Sequence, residues 1–120
     1  MSDSECPSNI RSELIANCRR SKCRTSAFTP ESPTKWRPTT VIDPTDAEGR
    51  AFTDSTAWEY VATLLEQNVD VEVIILTKPR GKKAFVMKVQ APQGEIYIKL
   101  QLGPPGVKGR SFHYSEYSGR

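Results

Sequence analysis

Residues 95–102, Glu-Ile-Tyr-Ile-Lys-Leu-Gln-Leu, alternate polar and apolar side chains without a break. On a strand, successive side chains point to opposite faces of the sheet. Ile96, Ile98, Leu100 and Leu102 must therefore share a buried face, and Tyr97, Lys99 and Gln101 the other. A slip of one residue would bury the lysine and expose all four aliphatics, so the register is tightly specified. Turn chemistry brackets this strand. Ala91-Pro92-Gln93-Gly94 precedes it and Gly103-Pro104-Pro105-Gly106 follows it.

Three more runs read as strands. Val69–Thr77 is rich in β-branched residues. Ala84–Gln90 follows the basic turn Lys78–Lys83, and Val107–Ser115 closes the series. Gaps this short favour antiparallel pairing, because parallel neighbours need long crossovers. Upstream, residues 53–67 (TDSTAWEYVATLLEQ) read as a helix with Thr53 or Asp54 as its cap. Trp58, Val61, Ala62 and Leu65 form its apolar stripe, and Asn68 stops it. The expected fold is α+β: one main helix packed on a four-stranded, mostly antiparallel meander.

Residues 1–50 have a different composition. The stretch from 24 to 50 carries four prolines among many Ser and Thr residues, which suits a flexible arm better than a core. Ile10, Leu14, Ile15 and Cys18 have the spacing of one short helix. Trp36 is the natural pin of such an arm onto the body. The chain thus divides into an arm, 1–50, and an α+β domain, 51–120.

No stretch approaches the roughly 18 apolar residues of a membrane span. The N-terminus lacks the apolar core of a secretory signal, so a cytoplasmic location without membrane attachment is expected. Cys6, Cys18 and Cys23 match no common zinc spacing and read as reduced thiols, with no metal or cofactor implied.

Charge is sharply partitioned. Residues 51–77 hold five acids and no Lys or Arg, whereas residues 78–120 hold nine Lys or Arg and two acids, Glu95 and Glu116. The net charge of +3 hides this division. A basic sheet face with interleaved Tyr, His and Gln suits a phosphate backbone, although a solvated outer face would look the same from charge alone. In the strand before Glu95, Phe85, Met87 and Val89 supply the core side. The open face then collects Lys88, Gln90, Tyr97, Lys99, Gln101 and His113, with the Lys78–Lys83 turn at its rim. Arg110 shares parity with Phe112 and joins the open face only if Gly109 marks a bulge.

This set suits RNA cleavage without a metal, by attack of a 2′-hydroxyl on its own phosphate. The reaction needs a proton acceptor, a proton donor and cations for the charge that develops. Histidine changes charge near neutrality, which makes His113 the acid–base candidate. Tyr97 can donate a proton or orient the phosphate, and Lys99 or Arg110 can neutralise charge. Arg80, Lys82, Lys83, Lys88, Gln90 and Gln101 are the expected RNA-binding residues. The same face would serve a non-catalytic RNA- or ribosome-binding module. A protein-interaction domain with oppositely charged halves is a third reading.

The segments GEIYIKLQL and GRSFHYSEY resemble the MqsR-like branch of bacterial toxin–antitoxin ribonucleases, within the wider RelE-like group. Gly94, Ile96, Tyr97, Ile98 and Lys99 match one family motif, and Ser111-Phe112 match a second. The likeness extends over roughly residues 53–117, with the Trp58 helix and the Gly81-Lys82-Lys83 turn as weaker points of similarity. The resemblance implies an mRNA-cleaving toxin silenced by a cognate antitoxin, with the ribosome a further candidate partner. It carries the catalytic roles to Tyr97 and to the residue after the motif phenylalanine, His113. The family's usual residue there is lysine, so this chain departs from the pattern at a reacting position.

Overall fold

The computed structural model describes residues 6–115. Residues 1–5 of the expected arm and 116–120 of the expected domain, with Glu116 and Arg120 of the charge count, lie outside the described residues.

Among the described residues the fold is α+β, with two α-helices and a mixed six-stranded sheet. In chain order the elements are α1 (Ser8–Cys18), β1 (Arg24–Thr25), β2 (Lys35–Trp36), α2 (Asp54–Glu66), β3 (Glu72–Thr77), β4 (Arg80–Ala91), β5 (Gly94–Gly103) and β6 (Gly106–Tyr114). The meander of β3 to β6 is antiparallel as expected, but it is not the whole sheet. β1 and β2 both pair with β6 in parallel, Arg24 beside Val107 and Trp36 beside Phe112. The spatial order is β1-β6-β5-β4-β3, with β2 also on β6. Two-residue strands carry no sequence signature, which is why periodicity alone leads to a four-stranded sheet.

Helix α2 forms where its chemistry says it should. The Thr53 side chain accepts from the Thr56 amide, while the Thr56 hydroxyl takes the Thr53 amide proton, a reciprocal cap that satisfies two otherwise orphaned donors. Ala57, Trp58, Val61, Ala62, Leu64 and Leu65 are buried. Asn68, with φ of 59°, turns the chain left-handed after the helix. The alternation in β5 holds: Ile96, Ile98 and Leu100 are fully buried, opposite Val89, Met87 and Phe85 of β4.

The division at residue 50 is not seen, because residues 6–50 are built into the same core. Leu14, Cys18 and Val41 have no solvent exposure. Arg11 donates to the Leu65 carbonyl in the last turn of α2 and to the Val69 carbonyl beyond it, at 3.0 and 3.1 Å. Arg19 bridges Glu59 and Glu66 of α2, each at 2.7 Å. Trp36 stacks on Trp58 with ring centroids 4.5 Å apart and donates its indole N–H to Asp54. Proline, serine and threonine prevent long regular elements here. They do not prevent a few large apolar side chains from reaching the core while local side-chain bonds hold the loops.

All three cysteines are unpaired thiols. Burial pushes the Cys18 thiol up to about 12, so it behaves as a small apolar core residue. Among the described residues no helix is long and apolar enough to cross a membrane.

Candidate functional site

The face of the sheet turned away from α2 carries two rows of side chains. Lys88, Tyr97 and His113 stand side by side across β4, β5 and β6, and Val86, Lys99 and Ser111 form the next row. The second row is entered by β2, where Lys35 lies beside Ser111. Because Trp36 turns inward, strand alternation sends its neighbours Lys35 and Arg37 outward. They meet the open face there.

A cleft of about 630 Å3 results. Its floor is β5 and β6, one wall is the segment from Phe28 to Arg37, and the other is Leu76 to Lys78 at the end of β3. Lys35, Arg37, Lys78, Lys99 and Arg110 line it together with His113, and no Asp or Glu among the described residues does. Lys99 has its pKa lowered, first by burial and then by the charges of Arg110 and Lys35. An ammonium left in that position marks a place where negative charge is wanted.

Arg110 reaches the cleft through a backbone irregularity. Lys99 pairs with Ser111 and Leu100 with Gly109, so Arg110 is an extra residue bulged out of β6. The bulge turns its side chain off the face that buries Phe112. The guanidinium then donates to the Pro33 carbonyl at 2.9 Å, to Gln101 Oε1 at 2.7 Å and to the Lys78 carbonyl at 2.7 Å. Only 4% of the residue remains exposed. Arg110 therefore ties the floor to both walls. Gly109 beside it is required for a different reason: a Cβ there would stand 2.5 Å from the Trp36 ring.

His113 has a defined tautomer when neutral. Its Nδ1 lies 2.8 Å from the Tyr114 carbonyl, which can only accept, so Nδ1 carries the proton and Nε2 keeps its lone pair. The imidazole lies against Tyr97, with centroids 5.5 Å apart and planes 18° from parallel. A base, a phenol and a half-buried ammonium group thus share one concave surface.

The four expected catalytic residues, Tyr97, Lys99, Arg110 and His113, all line this cleft. None of the six expected RNA-binding residues does. Gln101 is buried as the acceptor for Arg110, whose guanidinium covers it, so it is not available on the open face. Gln90 donates to Glu95 at 3.0 Å. Lys88 is exposed beside Tyr97, outside the cleft. Arg80, Lys82 and Lys83 belong to β4 rather than to a long turn, since the β3–β4 connection is only Lys78-Pro79, and all three are exposed. Lys78, the first residue of the basic turn expected at the rim, does line the cleft, and so do Lys35, Arg37 and Phe28, which no strand pattern places there. The available signal is the pair of cations flanking Trp36. Among the described residues no three His, Cys, Asp or Glu side chains gather as metal ligands would.

No protein-family model, curated protein or solved structure matches this chain.

Proposed function

We propose that this cleft binds an RNA strand and cleaves it by 2′-hydroxyl attack, without recruiting a metal ion. The observation that carries the reading is a concave cationic surface, lined by no Asp or Glu among the described residues, enclosing a histidine whose Nδ1 is committed to a backbone carbonyl. In this scheme Nε2 of His113 takes the proton from the 2′-hydroxyl. The 2′-oxygen bonds to phosphorus and the bond to the 5′-oxygen breaks. The Tyr97 hydroxyl gives its proton to that leaving oxygen. Lys99 and Lys35 offset the charge on the phosphorane, and Arg110 adds a fixed positive charge while holding the walls. The products are a 2′,3′-cyclic phosphate and a 5′-hydroxyl. Such an enzyme, acting on mRNA in the cytoplasm, would arrest growth as the toxin of a toxin–antitoxin pair.

The test is cleavage of RNA by the purified protein in EDTA, read by the end group left. Wild-type protein should cleave and leave the cyclic phosphate. His113→Ala should lose about 10²–10⁴ in rate with its fold and its RNA affinity intact, and its expression should no longer arrest growth. Cleavage that disappears in EDTA and returns with magnesium would overturn the scheme.

One observation favours a second reading, a non-catalytic RNA-binding module using the same cleft. The Tyr97 ring lies on the imidazole and Arg110 spends its donors on protein acceptors. Tight RNA binding by wild-type protein with no cleavage under any cation would select it.

A further inference from the structure

Phe28 is 65% exposed, more than any other large apolar side chain of the described residues, and it stands in the wall of the cationic cleft. A single exposed apolar residue on a convex surface needs no explanation. This one is different in two respects. It lines a concave surface whose other members are mostly cations and hydroxyl-bearing side chains, with Pro33, Leu76 and His113 among them. The loop carrying it is also closed by its own polar bonds. The Thr34 hydroxyl donates to the Ser26 carbonyl at 3.0 Å, and the Ser32 amide donates to the Thr29 hydroxyl at 2.9 Å. The Ala27 amide donates to the Thr25 hydroxyl at 3.3 Å. These bonds bracket Phe28 on both sides and order the loop that presents it.

An aromatic face beside a track of positive charge is the arrangement that holds single-stranded nucleic acid, with phosphates on the cations and a base on the ring. Paired bases offer no free face to such a ring, whereas an unstacked base does. We infer that Phe28 is a base-stacking platform, and that the cleft selects single-stranded over double-stranded nucleic acid by capturing one splayed base next to the phosphate held at Lys35 and Lys99. This rests on the RNA-binding reading of the cleft and adds a substrate class to it. Stacking is tolerant of base identity, so the platform confers strandedness rather than sequence preference.

The test uses full-length protein and an uncleavable single-stranded deoxyoligonucleotide, compared with an oligomer of the same length and charge built from abasic units. Phe28→Ala should weaken binding of the base-bearing strand about tenfold or more and leave the abasic strand unchanged. Phe28→Trp should preserve the preference for bases. The exposure of Phe28 means that neither substitution disturbs the core. Equal affinities of wild-type protein and Phe28→Ala for the base-bearing strand, or equal losses on both strands, would overturn the platform. If Lys35→Glu still abolishes binding of both strands in that case, the cationic reading survives without it. Wild-type protein that binds neither strand would sink both ideas together.

Discussion

Two groups of cations sit on this molecule within one strand of each other, and they differ in everything except charge. Arg80, Lys82, Lys83 and Lys88 stand exposed along β4. Lys35, Lys99 and Arg110 are gathered in the cleft, where burial lowers the pKa of both Lys99 and Arg110. The first group is contiguous in sequence and dominates any count of local charge. The second is assembled from β2, β5 and β6 and is visible only once the chain is folded. Charge kept in water gains little from meeting a phosphate, whereas charge held among low-dielectric walls gains more. A dense basic run is therefore a poor locator of a site, and a half-buried lysine held beside other cations is a better one.

The largest effect expected from breaking this contrast comes from neither group of cations. Trp36→Ala removes the stacking on Trp58 and the edge packing on Phe112 that hold β2 in place. It should cost about 3 kcal/mol of stability, the low end for a large aromatic that is not fully buried. Denaturant unfolding would measure it. Because Lys35 and Arg37 flank Trp36, RNA affinity should fall in the protein that remains folded, although no cation has been changed. Retained affinity would separate β2 from the binding surface.

The next test compares the groups directly. Replacing Lys35 and Arg37 by Ala should lower the slope of log affinity against log salt by about one for each phosphate that the protein no longer neutralises. The triple replacement of Arg80, Lys82 and Lys83 by Ala should change that slope less. Titration of a fluorescent RNA at several salt concentrations gives both numbers. The reverse ranking would move the RNA path out of the cleft and onto β4.

The smallest effect concerns the energetic consequence of holding Lys99 where it is. Its pKa is lowered in the folded protein, so the unfolded chain binds that proton more readily. The resulting destabilisation is full below the folded pKa and is relieved as pH rises through that value toward the ordinary lysine range. Lys99→Met should therefore raise the thermal midpoint at neutral pH by a few degrees at most, since a half-exposed charge is screened. The gain should shrink as pH approaches 10.5, the ordinary value for the group. RNA affinity should fall in the same variant. A lower midpoint at neutral pH would mean that packing of the lysine stem outweighs its charge.

How much of this is legible in the residues follows from which forces are local. Alternation in β5 is a local pattern, and it assigns Ile96, Ile98, Tyr97 and Lys99 to the faces they occupy. Gly109 correctly marks the bulge, because a glycine inside a strand that otherwise wants side chains needs a reason. The same pattern overstates the exposure of Gln101 because alternation fixes the direction of a side chain and not what lies over it. The Arg110 guanidinium is what covers it. The arm misleads for a related cause. Trp36 and Arg11 find partners more than fifty residues away, and the tract that carries them gives no period from which to foresee those contacts.

Arg110 carries one more consequence. A single guanidinium fastens Pro33, Lys78 and Gln101 to β6, so the width of the cleft is set by one side chain acting as a spacer. The walls cannot part or close without breaking that spacer, which leaves the ligand, not the protein, to do the adjusting. On the proposed RNA-binding reading, recognition would then be a matter of gauge, with a flexible strand adapting to walls that one side chain holds in place.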